Sequence, residues 1–499
     1  MIRLLSLLVI AHIMGAMAQA QQRNVLLIIA DDYGIDSSSL YNTTPPAAGL
    51  PPTPNIAALA TGGIKFQNAY ACPVCSPTRA AIMTGRRGFR TGVGDVIAPG
   101  SANGQLTAAE TTLPEIFAAN ASLGYSLAMF GKWHLATGAA TPYTVGGWPY
   151  FAGTIPGALT SYTNYTKIIN NAGSVTQTAN YSVYATTDVR QDAATWISQR
   201  TGPWFAWVAF NAGHTPFHVP PTNLHSYGSP TGNRNRYEAS IEAMDTEIGN
   251  LLASVNRSTT MIIFIGDNGT AGQVIQSPYN STRAKGSVYE GGTRVPFIIN
   301  GPDVVSPGRT VTEFVHVVDL FATILDIAGI PSTADDSRSL KPLLQNQTDT
   351  RDRSFNELFS ADDPTSGGRT LRDSRYKLAR LNNGTEEFYD LQTDPYEATN
   401  LISVMTTEQQ SYYHRLKYEL GSYSTSAVPA VTNPVKGTSF SMSLAHESGK
   451  TYTLWRCTDL ASGFWAPVSS ASQSINGATI TLTDPTPPAD RAFYSAMKE

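Results

Sequence analysis

NVLLIIADD, residues 24–32, governs how the rest of the chain is read. Residues 25–30 are apolar without a break and show neither a helical nor an alternating period. Both faces of such a segment must be buried, which is the pattern of an inner strand in a parallel sheet. The run stops on two acids, Asp31 and Asp32. The same design recurs along the chain. Residues 126–130 lead into GKWH, with Lys132 and His134 just beyond the strand. PWFAWVAF at 203–210 runs into NAGH, with His214. MIIFI at 261–265 ends at GDNG, with Asp267 and Asn268. VPFIIN at 295–300 reads as a fifth strand. Helical patterns lie between and after them at 113–120, 187–199, 236–255 and 314–328, the last stopped by Gly329 and Pro331. Strands alternating with helices predict an α/β fold, a large mostly parallel sheet sandwiched by helices. In open α/β sheets ligands bind outside the carboxyl ends of the strands, so four strand ends offer polar groups to one crevice.

Composition narrows the function classes. Of 499 residues, 41% are hydrophobic and 14% charged, which suits a packed chain rather than a disordered one. A formal net charge of -4 lacks the basic excess of a nucleic-acid binder. The first twenty residues have the form of a secretory signal: Arg3, an apolar stretch at 4–17, then Ala18-Gln19-Ala20 as a small-x-small cleavage site. That stretch is too short to span a bilayer, and no other segment is apolar enough, so no membrane span is expected. The expected location is secreted or periplasmic. The expected domains are a signal peptide at 1–20, a catalytic α/β domain at 21–345, and a C-terminal α+β subdomain with a small antiparallel sheet and helix at 346–425. A Ser, Thr and Pro-rich linker follows at 426–436, then a small all-β module at 437–499.

Three cysteines are no disulfide framework. Cys72 and Cys75 form C-x-x-C, open to a redox or bridged reading, but the pair is followed by Ser-Pro-Thr-Arg in a chain far larger than a thioredoxin-like unit. Asp31, Asp32, Asp267 and Asn268 supply only oxygen ligands, which suit a hard cation, Ca2+ or Mg2+; taken singly, each pair would be an ordinary strand-end turn. Pro77 suits the first position of a helix and Ser76 its cap. Cys75 then precedes a helix N-terminus, with Arg79 in the first turn, a place that favours an anion. A nucleophile there could attack a sulfate or phosphate ester.

CSPTRAAIMTGR, residues 75–86, resembles the C-x-P-S-R…T-G-R pattern of the type I, formylglycine-dependent sulfatases of the alkaline phosphatase superfamily, with Thr78 in place of the usual Ser. DDYG at 31–34, GKWHL at 131–135, NAGHTPFHVP at 211–220, GDNG at 266–269, KGSVYEGGTRVP at 285–296, DLFATILDIAGI at 319–330 and FYDLQTDPYEATNL at 388–401 resemble family blocks in family order, over about residues 24–425. The resemblance implies that a maturation enzyme oxidises Cys75 to Cα-formylglycine. Its hydrated gem-diol attacks with one hydroxyl and expels sulfate with the other, leaving Cys72 a bystander. It further implies that Asp31, Asp32, Asp267, Asn268 and the modified Cys75 hold Ca2+ (or Mg2+), and that Arg79 orients the diol. Lys132 and Lys285 would bind the sulfate, His214 would be the general acid and His134 the base that releases sulfate.

Alternatives stay open at this level. His134 could be a core histidine, His218 could replace His214 as the acid, and His218 or His225 could cap a loop rather than line a cleft. Arg234, Arg236 and Arg372 fall in expected loops and could form a basic cleft for a sulfated carbohydrate. Besides a secreted sulfatase, the residues allow a formylglycine-dependent phosphodiesterase or phosphonate monoester hydrolase, or an inactive sulfated-glycan binding protein.

Overall fold

The computed structural model describes residues 22–44, 49–349, 351–423, 432–436, 438–459, 464–488 and 492–498. The expected signal peptide and most of the expected linker lie outside these. Among the described residues, ten strands form the main sheet: β1 (Asn24–Ala30), β2 (Gly63–Tyr70), β3 (Ser126–Lys132), β4 (Tyr150–Thr154), β5 (Tyr165–Asn171), β6 (Ser174–Tyr181), β7 (Trp204–Ala209), β8 (Thr260–Gly266), β9 (Phe297–Asn300) and β10 (Arg309–His316). Their order is β10-β2-β9-β8-β1-β7-β3-β4-β5-β6. The central run β8-β1-β7-β3-β4 is parallel throughout. β9 pairs antiparallel with both β8 and β2, and two reversals return β2 to the direction of β1. The carboxyl ends of β8, β1, β7, β3 and β2 therefore open on one edge.

The unbroken apolar run of β1 has its cause in what covers the sheet. Val25, Leu27 and Ile29 join one core, and Leu26, Ile28 and Ala30 the other. The first core is closed by α2 (Cys75–Thr84), α3 (Leu113–Ala119) and α6 (Asp319–Ile327). The second is closed by α1 (Pro54–Thr61), α4 (Ala185–Ser198) and α5 (Gly232–Leu252). Fully burying one such aliphatic side chain contributes about 1.5–3 kcal/mol, so both faces of β1 add to the stability of the sheet.

A second, antiparallel sheet follows: β11 (Ser354–Leu358), β12 (Gly368–Arg372), β13 (Tyr376–Leu381) and β14 (Glu386–Asp390). α7 (Thr407–Gly421) covers it, with Leu416 and Leu420 against Phe355, Leu378 and Phe388. Thr406 and Gln409 form a reciprocal capping box at its start. Beyond lie two small antiparallel sheets, around Met442, Leu444, Leu454 and Leu482. The three-stranded one rests on α7, where Tyr418 stacks on Trp465 at 4.6 Å.

Several expectations are corrected. Residues 314–328 are not one helix: Phe314, Val315 and His316 pair with Asn68, Ala69 and Tyr70 of β2, and the ladder prevails over the helical period. The fifth strand begins at Phe297 and runs antiparallel. α2 begins at Cys75, so Ser76 is inside the helix and its hydroxyl accepts from the Ile97 N–H instead of capping. Arg234 is not a loop residue, and Arg236 belongs to the helical pattern expected at 236–255 rather than to a loop; both lie in the first turns of α5. Arg372 is on β12, buried, and bound to Tyr70 Oη and Glu290. Its guanidinium is thereby withdrawn from any substrate cleft. No helix among the described residues is long and apolar enough to cross a membrane.

Candidate active site

The shared edge of the parallel strands gathers the polar residues. Asp31 and Asp32 follow β1, Asp267 and Asn268 follow β8, Lys132 ends β3 and His214 lies beyond β7. The chain leaves β2 at the same edge and enters α2, which delivers Cys75 at its first position. Ligand atoms of Asp31, Cys75 and Asp267 all lie within 4.8 Å of one another, as do those of Asp31, Asp32 and His214.

Cations line this acid cluster. Lys132 Nζ is 2.5 Å from Asp31 Oδ2, and Lys285 Nζ is 2.5 Å from Asp32 Oδ1. Arg79, wholly buried, donates to Asp267 Oδ2 and to the Lys132 carbonyl, both at 2.8 Å. Burial, then Asp267, pushes the Asp31 carboxyl well above its ordinary range, against the pull of Lys132. Burial acts the same way on Asp32, but Lys285, His214 and Lys132 outweigh it and hold that carboxyl below its usual value. Burial likewise opposes the charge of Lys285, and Asp32 leads the carboxylates that hold it above the ordinary lysine value.

A divalent cation fits this site on the donors' own evidence. Asn268 Nδ2 donates to Asp32 Oδ1 and the Gly269 carbonyl, which fixes the amide with its Oδ1 turned away from both. Asn268 Oδ1 and Asp31 Oδ1 are buried without a hydrogen-bond partner. Orphaned buried oxygens call for an explanation, and an oxygen-binding cation supplies one.

Both candidate imidazoles have assignable tautomers. His134 Nε2 is 2.9 Å from the Ile97 carbonyl, so that nitrogen carries the proton. Nδ1, 3.1 Å from Cys75 Sγ, is then an acceptor facing the cysteine. A circuit closes here: Cys75 neighbours Ser76, Ser76 holds Ile97, and Ile97 orients His134 back onto Cys75. Burial and the nearby Lys132 and Arg79 push His134 well below its ordinary value and keep it neutral. His214 Nδ1 bonds the Thr215 carbonyl at 2.9 Å, which leaves Nε2 for the site. Burial lowers His214 to about 4, with Asp32 opposing and Lys132 and Lys285 adding.

The remaining candidates separate clearly. His218 is engaged at both nitrogens, bonding Tyr184 Oη at 2.9 Å and the Pro216 carbonyl at 3.1 Å. His225 caps a loop, bonding the Pro220 carbonyl and the Tyr227 N–H. Arg234 is taken up by Glu238 and the Val274 carbonyl, and Arg236 is half-buried on the same helix. Cys72 and Cys75 are unbridged, and burial pushes the Cys72 thiol up to about 12, where it is inert. Thr78 keeps the role a serine would have: its hydroxyl donates to the Asp267 carbonyl at 2.6 Å and accepts from the Cys72 N–H. Gly157 escaped the sequence reading. A Cβ there would lie 2.2 Å from His134 Cε1, so the imidazole packs on bare backbone. No motif signals such a glycine.

Known proteins resemble this chain along most of its length. The Sulfatase family model matches residues 23–330, and the model "N-sulphoglucosamine sulphohydrolase, C-terminal" matches 283–425. Human arylsulfatase A is 28% identical over 449 residues, covering 78% of this chain and 85% of the relative. An ulvan-active sulfatase of Formosa agariphila is 28% identical over 393 residues, covering 70% and 72%. Mouse arylsulfatase J is 29% identical over 330 residues, 62% of this chain, and the match spans 53% of that longer protein. Among solved structures, Ps i-CgsB in complex with k-i-k-neocarrahexaose superposes with a TM-score of 0.69 at 20% identity, over 81% of this chain and 93% of the other. BT4656 in complex with D-glucosamine-2-N,6-O-disulfate gives 0.61 at 20% identity, over 80% and 96%.

Proposed function

The chain belongs to the sulfatase family, and we propose that it hydrolyses sulfate esters of a carbohydrate through a formylglycine made from Cys75, with a divalent cation held by Asp31, Asp32, Asp267 and Asn268. The observation that carries this reading is the placement of Cys75 Sγ: at the start of α2, beside the acid cluster, and 3.1 Å from the bare Nδ1 of His134. Sγ stands where an oxygen of hydrated formylglycine would stand. When present, the modified residue supplies an oxygen nucleophile and the cation polarises the sulfate; Ca2+ is favoured over Mg2+ by family habit alone.

The chain's own residues have separable tasks. Lys132 and Lys285, held at the acid cluster, give fixed positive charge for the sulfate oxygens. His134 Nδ1 accepts a proton at the position of Sγ. His214 Nε2 faces the leaving side and donates to the departing alcohol oxygen. An anionic ester adds negative charge beside His214 and favours its protonated form over the neutral one of the free protein. Arg79 orients the nucleophile from the α2 side.

The carbohydrate class rests on the relatives. One is named ulvan-active and one neighbour is bound to a sulfated glucosamine. The signal-like segment at 1–20 supports export, and the C-S-P-T-R pattern supports maturation by a formylglycine-generating enzyme. Arg234, Arg236 and His218 would at most border the substrate cleft. The test is free sulfate released from a panel of sulfated sugars, with matched phosphate esters alongside and Cys75→Ala as control. Release from one sulfated class, lost by more than about 10³-fold in the control, is expected. A wild-type protein that carries the aldehyde by peptide mass yet cleaves only the phosphate esters would overturn the proposal.

A further inference from the structure

His214 sits on the segment 211–220, outside any helix or strand, and its Nδ1 bonds the carbonyl of the very next residue. The direction of its ring therefore depends on the backbone of that segment. Tyr162, between β4 and β5, reaches that backbone from the side. Its hydroxyl lies 2.5 Å from the Asn211 carbonyl and 2.8 Å from the carbonyl of His214 itself. Its ring stacks on His218 at 3.7 Å with 19° between planes. His218 in turn bonds the Pro216 carbonyl and Tyr184 Oη. One residue thus grips the segment before His214, at it and four positions after it. Tyr162 is 2% exposed, so it does this from beneath and does not line the cleft. Tyr237 closes the other side: its ring lies within 2.6 Å of where a Cβ of Gly213 would be.

We propose that Tyr162 is the positioning residue for the general acid, holding His214 so that Nε2 meets the leaving oxygen, with the Tyr162–His218–Tyr184 stack as its support. This rests on the role given to His214 above. As the oxygen nucleophile at residue 75 bonds to sulfur and the ester S–O bond breaks, the pair of that ester bond goes to the leaving oxygen, which takes the Nε2 proton and leaves a neutral imidazole. Proton donation matters most for a strongly basic leaving group such as a sugar alkoxide, and little for a nitrophenolate. A positioning defect is therefore visible as a dependence on the leaving group, which a general loss of stability would not produce.

The experiment compares Tyr162→Phe, His214→Ala and the double variant on a sugar sulfate and on 4-nitrophenyl sulfate. Tyr162→Phe is expected to lower kcat on the sugar sulfate about 10–100-fold, part of the 10²–10⁴ that a general acid supplies, and on the nitrophenyl ester less than about threefold. The double variant is expected to match His214→Ala within about twofold, since a unit already broken cannot be broken again. Equal losses on both esters, or losses that multiply in the double variant, would overturn the assignment. A wild-type protein active only on phosphate esters would sink the sulfatase reading, while the same comparison in the phosphate series would still judge Tyr162. Should neither series turn over, the 15N spectrum of the imidazoles decides: His214 held as the Nδ1–H tautomer in the wild type and mixed in Tyr162→Phe supports the proposal, and identical spectra refute it.

Discussion

Among the buried charge clusters of the described residues, two differ in what their atoms are left to do. One is the strand-end cluster of Asp31, Asp32 and Asp267 with Lys132, Lys285 and Arg79. The other sits between the two larger sheets: Glu290 and Glu397 with Lys377 and Arg372. In the second, Glu290 is met by Arg372, Lys377 and Tyr70, and Glu397 by Lys377 and the Glu290 N–H. Lys377 and Arg372 outweigh burial and lower the Glu290 carboxyl to about 2. That arrangement bolts the main sheet to the antiparallel one. In the first cluster, Asp31 Oδ1 and Asn268 Oδ1 have neither a hydrogen bond nor an ion pair. Burial raises one carboxyl in each cluster, Asp31 and Glu397, so the difference lies in the unmet oxygens. Buried charge by itself marks neither site nor scaffold; unmet oxygens converging at a strand edge mark the site.

The contrast is open to breaking. Asp267→Asn is expected to cut turnover by at least about 10³-fold, since it weakens both the cation site and Arg79; steady-state kinetics check this. Glu290→Gln should do the reverse. Leaving Lys377 and Arg372 short of a partner costs about 3–5 kcal/mol of stability by denaturant unfolding, with kcat of the folded fraction within about threefold. If Glu290→Gln instead matched Asp267→Asn in kcat, the division between the clusters would be wrong.

Cation linkage sharpens the same division. A divalent cation at about 100 times its Kd should stabilise the wild type by about 2.7 kcal/mol, measured as a shift in thermal unfolding after chelation and re-addition. Glu290→Gln should keep that increment and Asp31→Asn lose it. Gly157→Ala tests the seat of His134. The added Cβ would displace the ring, and a displacement near 1 Å costs about 10²-fold in kcat, with little change in KM. The smallest effect concerns acid. His316 is buried, with Nδ1 accepting from the Val318 N–H and Nε2 bonding Asn356. Burial, with Arg87 and Arg351, pushes it well below its ordinary value. The unfolded chain binds this proton below about pH 6.5 and the folded one does not, so stability is full above that pH and falls below it, by at most about 1.4 kcal/mol per pH unit. His316→Gln should flatten the slope of unfolding free energy between about pH 6.5 and 5 by up to one proton; an unaltered slope would show that His316 is not a source of it.

The inner strands were legible because burial on both faces writes an unbroken apolar run, as in 25–30 and 261–265. The strands GIKFQNAY and SVTQTANY were not, since polar residues interleave where a strand is partly exposed or lies at the sheet's edge. Residues 314–316 read as helix because a local period cannot register a partner about 250 residues away. Arg372 read as an available cation because sequence does not show Glu290 beside it.

By itself, then, the sequence determined which residue types end which strands, and with the C-S-P-T-R pattern, which family they resemble. Those are local facts, carried by apolar runs, turn residues and spacing. Only the tertiary structure decided the rest: that β9 reverses twice over and brings Cys75 to the edge of β1, that His134 shows Cys75 its bare nitrogen, and that Gly157 and Tyr162 hold the two imidazoles. Each depends on groups distant in the chain meeting within a few ångströms, a relation that packing creates and that no stretch of sequence contains.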